Sequence, residues 1–174
     1  MMKLIPLLIF LPCYLGCSNN QSEKRLSPDK LGLDTIANTY SVTEEDTAMN
    51  SAIAKARQTI GEFDRALKSN NASNTDFAVK KKYKTFDNGG EHMWIAGIML
   101  LNNSYKGFVN NDAEKTTEVK FGDTVIVKKE EITDWMYLDN NVLRGGYTIR
   151  AVRNKLSKDE RIKMDETLGI KIED

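Results

Sequence analysis

The chain has one histidine, His92, and it sits beside a carboxylate, Glu91, in the run Glu91-His92-Met93-Trp94. A second acid, Asp134, precedes Trp135 in Asp134-Trp135-Met136-Tyr137. An imidazole titrates near neutrality, so His92 with Glu91 or Asp134 could serve a hydrolase as a general base. That chemistry needs a carboxylate to orient the ring and a nucleophile or water within reach of its other nitrogen. The competing reading is a partly buried histidine hydrogen-bonded inside a sheet. Trp94, Trp135, Tyr137 and Tyr147 form a second set, suited to a binding surface because aromatics combine contact area with a polar handle. All four also lie in strand-like patterns, so the competing reading for them is sheet core.

Other chemistries lack their residues. The two cysteines, Cys13 and Cys17, both lie near the N-terminus, which leaves the body of the chain without a thiolate, a disulfide or a cysteine zinc site. With a single imidazole, no all-protein transition-metal site is signalled, and no cofactor motif is present. Gly145-Gly146 lacks the Lys and the Ser or Thr of a phosphate loop, and reads instead as a bulge or a close backbone approach. Lysines and arginines number 25 against 25 acids, which is not the footprint of a nucleic-acid binder. In the one dense basic run, Lys80-Lys81-Lys82-Tyr83-Lys84, alternation sends Lys80, Lys82 and Lys84 to one side, which suits a solvated sheet face or a protected edge better than a polyanion site.

These candidates need elements to hold them. Met49, Ile53, Ala56, Ile60, Phe63 and Leu67 recur every three or four residues and predict an amphipathic helix. Thr43 or Thr47 caps its first turn, and Asn70-Asn71 ends it. Thr75 to Lys84 alternates as a strand, and Asp87-Asn88-Gly89-Gly90 turns it into an apolar central strand, 91–101. Short strands follow at 104–109 and 124–127. A hairpin then turns at Asp139-Asn140-Asn141, with its second strand running to about Ile149. On its first strand Trp135 and Tyr137 share one face, with Asp134, Met136 and Leu138 on the other. Ser157-Lys158-Asp159-Glu160 is a capping box for a short helix that stops at Gly169. The prediction is an α+β domain in which the N-terminal helix packs on a curled antiparallel sheet of five or six strands, with a short C-terminal helix.

Upstream, Lys3 precedes Leu4-Ile5-Pro6-Leu7-Leu8-Ile9-Phe10-Leu11, an apolar run too short to span a bilayer and typical of a signal peptide. It ends at Tyr14-Leu15-Gly16-Cys17, which resembles the lipobox of bacterial lipoproteins, with Tyr14 where an aliphatic residue is usual. The resemblance implies removal of residues 1–16, acylation of Cys17 and a membrane contact through that lipid. Ser18, in place of Asp, implies outer-membrane sorting facing the periplasm. A plain secretory signal would instead give a periplasmic or secreted protein. Residues 17–42 then form a polar tether, 43–153 the α+β domain, and 154–174 a C-terminal helix and tail.

Five ordered motifs carry a wider resemblance: Met49 to Arg57, Thr75 to Lys80, Glu91 to Trp94, Asp134 to Tyr137, and Gly145-Gly146-Tyr147-Thr148. Together they are similar to the YegJ-like family, domain of unknown function 2314, over about Thr43 to Arg153. The resemblance implies bacterial origin and one domain's architecture, and assigns no catalytic role to any position. In this chain Gly61 precedes Glu62 and Phe63, where the family often has Pro.

The function expected is therefore a non-enzymatic envelope lipoprotein that binds a protein, peptide or envelope component near the Glu91 to Trp94 strand and the Asp134 to Tyr137 hairpin. The alternatives are the hydrolase built on His92 and an immunity-type protein that neutralises a toxin.

Overall fold

The computed structural model describes residues 47–173. The leader, Cys17, the tether and the Thr43 cap lie outside the described residues. The predicted α+β architecture is what forms: helix α1 (Thr47–Lys68), strands β1 (Asn74–Lys84), β2 (Gly90–Leu101), β3 (Ser104–Val109), β4 (Thr124–Lys128), β5 (Ile132–Asp139) and β6 (Val142–Gly145), then helices α2 (Tyr147–Arg153) and α3 (Lys158–Leu168). One antiparallel sheet takes the order β4-β3-β2-β1-β5-β6.

The sheet curls. Only the 3-10 turn Lys129–Glu131 joins β4 to β5, although three strands stand between them in the sheet. Val127 of β4 and Ile132 and Trp135 of β5 accordingly share one core with Val79, Ile95 and Tyr105, and α1 fills this concave side with Ala56 and Phe63. Of the predicted apolar stripe, Met49, Ala56 and Phe63 are buried outright, while Ile53, Ile60 and Leu67 flank them half-buried. The helix ends as expected, with Asn70 at a φ of 51° just beyond its last residue.

The described residues cover the convex side over only part of its width. There α2, α3 and the tail pack Ile149, Met164, Leu168, Ile170 and Ile172 against Ala78, Trp94, Met136, Leu138 and Leu143. Arg153 clamps the two helices together through a two-pronged bond to Asp165, with both contacts at 2.9 Å. The Ser157–Glu160 capping box and the left-handed Gly169 bound α3 where expected.

Two expectations change. The second hairpin strand ends at Gly145, not near Ile149, because Gly145 and Gly146 both take positive φ and α2 begins at once. A Cβ on Gly145 would stand 2.3 Å from the Trp135 carbonyl oxygen, so this approach requires glycine. Lys80 does share a face with Lys82 and Lys84, but it is only 5% exposed, because the C-terminal helices cover that part of the sheet.

Candidate functional site

Asp134 lies fully buried on the convex side of β5, beneath the start of α2. That helix is preceded by Gly146, which has no side chain to cap it. Asp134 supplies the cap from a neighbouring strand. Its carboxylate accepts the amides of Tyr147 (3.1 Å) and Thr148 (2.8 Å), the Thr148 hydroxyl (2.6 Å) and its own strand's Trp135 amide (2.9 Å). A carboxylate at a helix N-terminus satisfies otherwise orphaned N–H groups and meets the positive end of the helix dipole.

Lys80 stands opposite Asp134 in the β1–β5 register and donates to the Thr148 hydroxyl at 3.0 Å. The donors thus run in one direction, from Lys80 to Thr148 to Asp134, which keeps the carboxyl as an acceptor. Burial outweighs the pull of Lys80 and of the Thr148 and Trp135 donors and holds the Asp134 carboxyl above its ordinary value. Burial also lowers the Lys80 ammonium to about 8, against the raising effect of Asp134. The ammonium sits 4.5 Å from the centroid of the Trp94 ring.

His92 faces the same side, opposite Lys82 and near the turn that joins β1 to β2. Its Nδ1 lies 2.9 Å from the Thr133 hydroxyl, which itself donates to the Lys80 carbonyl at 3.2 Å. The hydroxyl therefore accepts from Nδ1–H, and the imidazole is tied to backbone architecture. Desolvation, then the charges of Lys80 and Lys82, lower the ring to about 4. An imidazole with that affinity is neutral at pH 7 and a weak general base there.

Glu91 cannot orient His92, since adjacent strand residues point to opposite faces. Its carboxylate instead accepts the amides of Glu114 (2.8 Å), Lys115 (3.0 Å) and Thr116 (2.8 Å), which fastens the β3–β4 loop. Partial burial pushes this carboxyl up, but the three amides and Lys115 outweigh it and hold it below the usual value.

The aromatic set divides. Trp94 and Trp135 are each 1% exposed, one in the convex core and one in the concave, and Trp135 Nε1 donates to the Ala56 carbonyl of α1 at 2.9 Å. Tyr137 and Tyr147 are half-buried at the rim of the concave core. Tyr137 stacks on Phe77 with centroids 5.1 Å apart, and Tyr147, in helix α2 and not in a strand, meets Trp135 edge-on at 5.7 Å. The structure thus places His92 and Asp134 on one face, bonded to different threonines, with Glu91 on the other face and the two tryptophans apart.

Lys80, Thr133 and Thr148 are the members that residue type and spacing did not single out. The signal for Thr148 was there: two glycines followed by Ile149 and Val152 at helical spacing mark a helix start in need of a cap. Among the described residues no group of three His, Cys, Asp or Glu side chains could hold a metal ion. Nor is any described helix long and apolar enough to cross a membrane.

Comparison with known proteins adds kinship. Residues 46–172 match the family described as uncharacterized protein conserved in bacteria, DUF2314. The chain is 34% identical over 138 residues to a Neisseria meningitidis serogroup B protein described as a putative ankyrin repeat protein, which covers 75% of this chain and 54% of that one. The chain thus spans about half the length of that relative. It is also 34% identical over 114 residues to the uncharacterized protein YegJ of Escherichia coli K12, covering 65% of this chain and 72% of that protein. No solved structure matches.

Proposed function

Taking as premise that the chain belongs to the DUF2314 family of bacterial proteins, we propose that it is a non-enzymatic binding module held at the cell envelope by a lipid on Cys17. One observation carries the non-enzymatic half. Each acid–base candidate is already engaged in holding the fold, since Asp134 caps α2, His92 bonds Thr133, and Glu91 fastens a loop. A hydrolase would need at least one of them free to meet a substrate. The half-buried aromatics Tyr137, Phe77 and Tyr147, at the rim of the concave core, offer a protein or peptide partner a rigid contact.

The envelope half rests on the leader and on Gly16-Cys17-Ser18, which favour a lipid-anchored protein on the outer membrane facing the periplasm. Crosslinking in cells tests the partner surface: Tyr137→Ala should lose the captured protein, and unchanged capture would refute the surface. Fatty-acid labelling should mark the parent chain and vanish in Cys17→Ala. Should the captured protein be a toxin, the immunity reading takes over the partner's identity while the binding role stands.

A further inference from the structure

The convex face of β2, β3 and β4 lies beyond the reach of α2 and α3, and its outward residues are not those of a solvated sheet. Met99 is 60% exposed, Ile126 59%, Phe108 40% and Leu101 36%. Pairing sets them side by side, since Lys106 lies between Met99 and Ile126, and Phe108 occupies the next outward position of its strand. The β2 bulge at Gly97, with a φ of 61°, lets the Phe108 ring settle over the backbone, where a Cβ would come within 2.5 Å of it.

The charges on this face have one sign. Lys106 and Lys128 point outward and are exposed, while no outward position in β2, β3 or β4 holds Asp or Glu. Across the whole chain acids equal bases in number, so this face is segregated. Four apolar side chains projecting from a convex surface among lysines do not enclose the pocket that a protein hot spot fills. A second copy would set lysine against lysine. The pattern suits apolar side chains entering the boundary between headgroups and acyl chains while lysines reach lipid phosphates.

We propose that this face docks on an anionic phospholipid bilayer. The proposal does not depend on acylation of Cys17, and it concerns a different surface from the Tyr137 rim. Flotation with vesicles tests it, using the chain from Ser18 to Asp174, which keeps every described residue and carries neither leader nor acyl group. Vesicles of equal parts phosphatidylglycerol and phosphatidylcholine should bind at least about tenfold more protein than phosphatidylcholine alone, and 0.5 M salt should release most of it, since screening weakens exposed charges. Met99→Ser with Ile126→Ser, and separately Lys106→Glu with Lys128→Glu, should each lower the bound fraction about tenfold at an unchanged melting temperature. The proposal is overturned if the parent does not float, if both vesicle types bind equally, or if the variants float like the parent. It is equally overturned if the same substitutions turn a dimer into a monomer without changing flotation, because a second copy would then occupy the face.

Discussion

Lys80 and Lys106 project from the same convex face of one sheet, two strands apart, into opposite environments. Lys80 is 5% exposed beneath α2, bonded to Thr148 and poised over Trp94. Lys106 is exposed between Met99 and Ile126, with no described helix above it. Strand alternation decides which side a residue takes, but a distant segment decides whether that side meets water. In this chain the C-terminal 28 residues of the described part, from Gly146, make the distinction.

Truncating each lysine in turn should separate the two environments most widely. Lys80→Ala leaves the buried Asp134 charge without its cation and the Thr148 hydroxyl without a donor. It should cost about 3–5 kcal/mol in urea unfolding. Lys106→Ala should stay within about 0.5 kcal/mol of the parent. Similar losses at the two positions would mean that the covered and open halves do not differ.

Acid should also weaken the covered half. The folded state holds the His92 ring near 4, below its ordinary value of 6.5, so between those values the unfolded chain binds the extra proton. Stability from this residue is thus full above pH 6.5 and drains away as pH falls toward 4, by at most about 3 kcal/mol. His92→Gln should remove that slope, read as the difference between parent and variant unfolding at pH 7 and pH 4. A parallel pH dependence in both would place the ring in water.

Thr148→Val deletes the relay between Lys80 and Asp134 without opening a cavity, and should cost about 1–3 kcal/mol by leaving buried polar groups unsatisfied. Smaller still, Ser157→Ala removes the α3 cap for about 1 kcal/mol. Amide exchange should then rise in α3 more than in β3 or β4, because only the covered half feels the loss. Uniform loosening would contradict that division.

Much of the fold was legible because its signals are local. The stripe from Met49 to Leu67, the turn at Asp87 to Gly90, the Asn140–Asn141 reversal, and the box at Ser157 each act within one element. Every one of them stands where expected. What was not legible depends on partners far away in sequence. Lys80 looked solvated because nothing near it announces the helix 68 residues later that covers it. Tyr147 looked like a strand residue because β-formers surround it, yet two left-handed glycines and a cap borrowed from β5 make it the first residue of a helix. The candidate site shows the same division. Asp134 and His92 were picked out by residue type, whereas what they do depends on Thr148 and Thr133, which carry no such mark.

Asp134 serves architecture, as the borrowed cap of α2, and equilibrium unfolding of Asp134→Asn puts that role to the test. The carboxamide keeps the shape but turns an NH2 group toward donors and leaves Lys80 without a counter-charge, so the account predicts a loss of about 3 kcal/mol or more. Parent-like stability in this variant would contradict it and leave Asp134 among the groups free for chemistry.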